Sequence, residues 1–430
     1  MPHAPRHPRA GLLVWLCFFL GLTAAACAAA PATSFDPLAE TEKLLATMPA
    51  EARAKSDAYF EGGYILQVWN LGLSLVIAWG LLKFGVAQKL RTIAEGRFQR
   101  RYLQGLLFIA MFAVVSWVIG LPNDYYVDFV REHRFGLSNL SAGDWLGEQL
   151  KSLMVSVIVF SLVGSLLYLG IRRSPQRWWI RASLATPFFM IFFMVLAPVF
   201  VAPLFNKYTP LADAKVRDPI LSMARANGVP VDNVYQFDAS KQSKRISANV
   251  SGALNTIRVS LNDNLLNRST PNEVQAVMGH ELGHYVLNHV YKGVVFFSLI
   301  FCTGFWFTNW FFGWANRRFG ASWGLRGIDD LAGLPLLMAG LSVFMFCATP
   351  VSNTIIRTQE VEADIFGLNA ARQPDGFATT ALKLSEYRKL APGKWEEIFF
   401  FDHPSGYQRI LMAMRWKAEH LTDPAPLDNK

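Results

Sequence analysis

The chain has 430 residues, 52% of them hydrophobic, 13% aromatic and only 17% charged, against roughly 25% charge in a typical soluble domain. That composition excludes a disordered protein, a coiled coil and a secreted disulfide scaffold. The net charge of +9 comes with no basic run interleaved with stacking aromatics, so no nucleic acid partner is expected.

The apolar residues are bunched into blocks, which predicts an integral membrane protein in contact with lipid. Residues 11–23 are apolar, preceded by Arg6 and Arg9 and followed by alanines. Residues 1–30 therefore read as a secretory signal peptide, with an uncleaved first transmembrane helix as the alternative. Segments 64–84, 102–121, 153–171, 182–205, 294–314 and 331–356 are each long enough to cross a hydrocarbon core of about 30 Å. With the leader this gives about seven transmembrane helices in an all-α membrane protein. A mixed α/β insert interrupts it between the fifth and sixth hydrophobic segments. The expected divisions are a helix bundle at 31–205, the insert at 206–290, a helical hairpin at 291–356 and a C-terminal segment at 357–430. Cys17, Cys27, Cys302 and Cys347 lie in apolar stretches without metal-binding spacing and read as small apolar residues.

The connections differ in charge. Lys83, Lys89, Arg91, Arg97, Arg100 and Arg101 crowd one turn, Arg172, Arg173, Arg177 and Arg181 a second, and Arg317, Arg318 and Arg326 a third. Simple alternation puts all three on one side, and the positive-inside rule makes that side cytoplasmic. The insert then faces outward, which in a bacterial inner membrane is the periplasm.

Within the insert, Thr270-Pro271-Asn272-Glu273 has the form of a helix start, with a cap, a proline at the first helical position and a glutamate three residues after the cap. The helix that follows carries His280-Glu281-Leu282-Gly283-His284. His280 and His284 share one face, where two imidazoles can hold one Zn²⁺ while Glu281 serves as general base. Catalytic zinc takes a third protein ligand. Val290 and Leu287 stand where the metzincin pattern requires histidine and glycine, so that subclass is excluded. Glu360 remains, in Arg357-Thr358-Gln359-Glu360-Val361-Glu362-Ala363-Asp364. Glu360 and Asp364 are one helical turn apart, so one can bind metal while the other orients a ligand imidazole. Glu362 points elsewhere and reads as a solvated side chain.

HELGH followed by ExxAD after a hydrophobic hairpin resembles the metal signature of the type I CAAX prenyl proteases, integral-membrane zinc endopeptidases. Gly120-Leu121-Pro122, Phe135-Gly136, residues 202–211 (APLFNKYTPL), Ser240-Lys241 and His403-Pro404 with Arg409 fall in that family's order. The resemblance implies a ring of seven helices around a chamber, and removal of the last three residues from a prenylated C-a-a-X peptide. It makes His280, His284 and Glu360 the zinc ligands, Glu281 the base and Asp364 the partner behind a ligand. His403 and Arg409 would stand near the substrate backbone or the developing oxyanion. Ser247 occupies a position where the family has asparagine. Eukaryotic members face the cytosol, opposite to the charge pattern here.

The reading is thus a membrane zinc metalloendopeptidase acting on peptide or protein substrates, prenylated C termini included. A heat-shock-type quality-control metalloprotease is the alternative within the enzymes. A non-catalytic lipid- or peptide-binding protein with structural zinc is the alternative outside them.

Overall fold

The computed structural model describes residues 35–252 and 257–420; the predicted leader, residues 1–30, lies outside them. Among the described residues six helices are long and apolar enough to cross a membrane, one around each segment expected from hydropathy. They extend beyond the apolar stretches, because nothing in the polar flanks stops a helix.

Helix α1 (Pro37–Leu45) precedes α2 (Ala50–Lys83), the surface helix α3 (Val86–Arg97), α4 (Arg101–Asp124), α5 (Ala142–Arg173) and α6 (Trp178–Leu196). The basic turns meet at one end of this bundle, where Arg101, Arg172 and Arg326, one from each, line a single polar cavity. Arg91 turns inward instead, its Nη1 2.5 Å from Asp330 Oδ2. Asp330 also accepts the backbone amides of Arg326 and Ala332.

The insert opens with β1 (Tyr208–Pro210) and α7 (Ala214–Ala226), then β2 (Val234–Phe237), β3 (Ala248–Ser251) and β4 (Arg258–Asn262). The sheet order is β1-β2-β4-β3, with β2 and β4 parallel and the outer strands antiparallel. Among the described residues β3 is therefore an edge. A short helix α8 (Asp263–Arg268) leads to α9 (Pro271–Val286), the helix with the HELGH sequence. Ile220, Val234, Val259, Leu261, Met278 and Leu282 form a buried core between α7, the sheet and α9.

Two long helices follow, α10 (His289–Phe319) and α11 (Leu334–Ala371). The C-terminal segment folds as α12 (Pro374–Leu384), α13 (Lys394–Phe400) and α14 (Gly406–Glu419). Phe377, Ala378, Ile410 and Met414 pack with Ala276 of α9, Leu368 of α11 and Leu45 of α1, so α12 and α14 are docked onto the helices that carry the metal-binding pattern.

The cap of α9 forms as predicted. The Thr270 hydroxyl accepts from Glu273 N, and Glu273 Oε2 accepts from Thr270 N and from Lys383 Nζ, both at 2.7 Å. Burial works to raise the Glu273 carboxyl, but Lys383 and the Thr270 amide outweigh it and hold it below its ordinary 4.5. A depressed carboxyl contributes stability that is complete above its unfolded pKa and lost as pH falls through the folded one. Thr270→Ala is expected to cost about 1 kcal/mol. In detergent, the wild-type denaturation midpoint should fall as pH drops below 4.5, and Glu273→Gln should flatten that acid limb.

Candidate metal centre

His280 and His284 project from one face of α9 with their Nε2 atoms 3.1 Å apart. α11 does not stop where its apolar stretch ends. It runs on to Ala371 and carries Glu360 and Asp364 to the same place. The two helices can meet there because glycines face the partner backbone along the seam between them. A Cβ added at Gly279 would lie 2.9 Å from Gly367 O, one at Gly283 3.2 Å from the Ala363 backbone, and one at Gly367 2.7 Å from His280 N. Glu360 Oε2 thus reaches 3.3 Å from His280 Nε2 and Oε1 reaches 3.4 Å from His284 Nε2. The ligand atoms of His280, His284 and Glu360 all lie within 4.8 Å of one another.

This group fits a zinc ion. Two imidazole nitrogens and one carboxylate are the donors such a site uses, and Glu360 Oε2 is buried without a hydrogen-bond partner. Burial disfavours a charged His280, but the carboxylates of Asp364 and then Glu360 overcome it and raise the imidazole to about 10. Burial, then His280 itself, pushes His284 down to about 4. A dication bound between the two rings would compete with protons for their nitrogens. Asp364, fully buried, accepts from His280 Nδ1 at 2.7 Å. That bond turns the His280 Nε2 lone pair toward the centre.

Beside His280, His284 and Glu360 lies a cavity of about 230 Å³ lined by His280, Glu281, Ser247, Ala248, Tyr387, Arg388, His403 and Arg409. Burial pushes the Glu281 carboxyl up to about 7, within reach of a base working near neutrality. His403 Nδ1 donates to Asp402 Oδ1 at 2.8 Å, and its Nε2 stands 3.2 Å from Glu360 Oε2. Arg409 borders the cavity, as expected, and is also committed to a partner. It is buried, and its Nε and Nη2 grip both Asp364 oxygens at 2.9 and 2.5 Å, so its charge is spent on Asp364 first although the guanidinium borders the cavity. At Ser247 the backbone N–H and C=O are both bonded to Asn262, leaving the side chain to face the cavity.

Sequence reasoning missed two members of the cluster. His289 stands 3.0 Å from His284, ring nitrogen to ring nitrogen, and Glu362, read as solvated, bonds His289 and Lys292. The glycine seam predicts that Gly367→Ala, by forcing Cβ into the α9 backbone, destabilises the fold by about 1–3 kcal/mol. It should also lower the bound metal per chain, measurable by metal analysis of purified protein.

The CAAX prenyl protease N-terminal family model, described as five membrane helices, matches residues 38–207, and the peptidase family M48 model matches residues 210–417. An uncharacterized metalloprotease of Bacillus subtilis is 29% identical over 406 residues, 94% of this chain and 93% of the relative. CAAX prenyl protease 1 of Saccharomyces cerevisiae is 31% identical over 239 residues, 54% of this chain and 49% of the yeast protein, so the match spans about half of that relative. The human CAAX prenyl protease 1 homolog is 25% identical over 363 residues, 74% of each chain. The crystal structure of S. mikatae Ste24p shares the fold with a TM-score of 0.73 at 23% identity, covering 94% of this chain and 96% of that one.

Proposed function

Because this chain belongs to the M48 peptidase family and is an integral-membrane metalloprotease, we propose that its metal is one zinc ion held by His280, His284 and Glu360. In this reading Glu281 is the general base, Asp364 the partner that orients His280, and the substrate a membrane-associated protein or peptide, prenylated C-terminal C-a-a-X sequences included. The observation that carries it is the cavity in which His280 and Glu281 face the Ser247–Ala248 side of an edge strand. A structural zinc site would be closed by four protein ligands, whereas this group offers three and opens onto a cleft.

A bound zinc ion supplies Lewis acidity that polarises the scissile carbonyl and acidifies water. The chain supplies the rest. The free edge of β3 can accept an extended peptide as an added strand, which lays its backbone across the cleft above Glu281. Glu281 takes the proton of the attacking water and returns it to the leaving amine. His403, steadied by Asp402, donates toward the developing oxyanion. Arg409 acts through Asp364, holding the carboxylate that fixes the His280 tautomer.

The test is cleavage of a farnesylated C-a-a-X peptide against its unprenylated counterpart, with and without chelator. Glu281→Gln should retain zinc while kcat/KM falls by at least about 10², and Glu360→Gln should lose the metal. Zinc lost in Glu281→Gln, or kept at full occupancy in Glu360→Gln, would redraw the ligand set. Equal cleavage of both peptides would favour broad quality control over C-a-a-X processing.

We further propose that the metal centre faces the periplasm of a bacterial inner membrane. The three basic turns converge at one end, and Glu360 lies 26 residues along α11 from its start at Leu334, about 40 Å away at 1.5 Å per residue. A cysteine at the exposed Ala226 of the insert should react with a membrane-impermeant thiol reagent on spheroplasts, and one at the exposed Gln99 should not. The reverse pattern would place the site in the cytosol.

A further inference from the structure

Helix α9 ends at Val286 and α10 begins at His289, and the joint is Asn288, which adopts a left-handed conformation with φ 57° and ψ 34°. Asparagine is among the few residues that take this conformation readily. The break has a chemical result. On an unbroken helix His289, five residues after His284, would lie about 140° around the cylinder, and the two rings would face apart. With the turn at Asn288, His289 folds back beneath the metal ligand and its Nδ1 comes 3.0 Å from His284 Nδ1. Its other nitrogen, Nε2, lies 3.0 Å from Glu362 Oε2, which Lys292 Nζ holds at 2.8 Å. His289 is only 2% exposed although it opens a long apolar helix.

The protons along this row can be assigned in one consistent way. Glu362, paired to Lys292, accepts only, so His289 Nε2 carries a hydrogen and His289 Nδ1 has a lone pair. That lone pair can only accept, so His284 Nδ1 carries the hydrogen between the two rings. The His284 Nε2 lone pair is then directed at the centre shared with His280 and Glu360.

We infer that His289 is a positioning residue for the metal, fixing the tautomer and ring plane of His284 through a His284–His289–Glu362 hydrogen-bond row anchored by Lys292. This rests on His284 being a ligand, as proposed above. The two ligand histidines are therefore oriented by different means: His280 directly by the Asp364 carboxylate, His284 by a carboxylate acting through a second imidazole. Outer partners of this kind raise ligand basicity, and losing one typically weakens metal binding 10–100-fold.

The experiment uses the purified full-length protein in detergent. Zn²⁺ affinity is read by competition with a chromogenic chelator, and the visible absorption of the Co²⁺-substituted protein reports ligand geometry. His289→Leu should bind Zn²⁺ 10–100-fold more weakly and shift the Co²⁺ bands. His289→Gln, which keeps one acceptor and one donor, should return to within about threefold of wild type. Glu362→Ala, at a half-exposed side chain where folding is not at risk, should weaken binding in the same direction and less. Unchanged affinity and spectrum in His289→Leu and Glu362→Ala would overturn the inference, as would His289→Gln binding as weakly as His289→Leu, which would leave His289 a packing residue. Failure of the wild-type protein to bind Zn²⁺ would overturn the ligand set itself.

Discussion

The metal centre depends on backbone-to-backbone contact between α9 and α11. Two imidazoles one turn apart can reach the same point without help, but a third ligand must come from elsewhere in the chain and arrive within about an ångström. The glycines at 279, 283 and 367 let the two backbones touch, and each added Cβ would fall within 2.7–3.2 Å of backbone on the facing helix. At that separation a glutamate on α11 spans to both histidines with one carboxylate. The loss of glycine's conformational freedom in two helices, about 1 kcal/mol each relative to alanine, is offset by the metal site that only this approach permits.

Close approach creates an electrostatic problem that the C-terminal segment solves. Asp364 is fully buried, and an unpaired carboxylate there would cost several kcal/mol. His280 donates to one oxygen and Arg409 of α14 grips both, so the charge is neutralised from two directions. The same contact makes docking of α14 and orientation of His280 a single event. Arg357, one turn before Glu360, donates to the carbonyls of Glu397 and Phe401 and so fixes the loop that presents His403. The proposed third ligand and the contact that holds the proposed oxyanion donor are thereby placed on the same stretch of α11.

What the sequence disclosed follows from how local each feature is. His280, His284 and Glu281 were legible because helix periodicity alone sets their relation, and the capping box fixed the helix around them. The spans were legible from hydropathy, though not their ends, because helix formation continues into polar flanks wherever residues permit it. Glu360 and Asp364 could be placed on one face but not brought to the histidines, since the glycine seam is a fact of two helices. His289 was hidden by the very periodicity that revealed His284. Only the left-handed Asn288 turns it back, and a single asparagine does not announce its φ. Glu362 followed it out of view, because its role exists only once His289 is there to donate. The pairing of Arg409 with Asp364 could not be read from sequence, because it depends on how closely α14 packs on α11.

Helix α2 ties the protease half to the membrane half. Ala58, Gly62, Ile65, Leu66, Trp69 and Leu73 form one stripe at helical spacing, and they line a mainly apolar hollow of about 810 Å³ shared with Ile119, Pro122, Tyr126 and Val130, with Asn123, Arg131 and Arg134 at its polar part. Phe60 and Tyr64 occupy the opposite face and pack on Phe401 and Phe400, with ring centroids 4.5 and 3.9 Å apart. Tyr64 also donates to Glu396. One side of a single helix therefore borders this mainly apolar hollow while the other braces the segment that holds His403 beside Glu360.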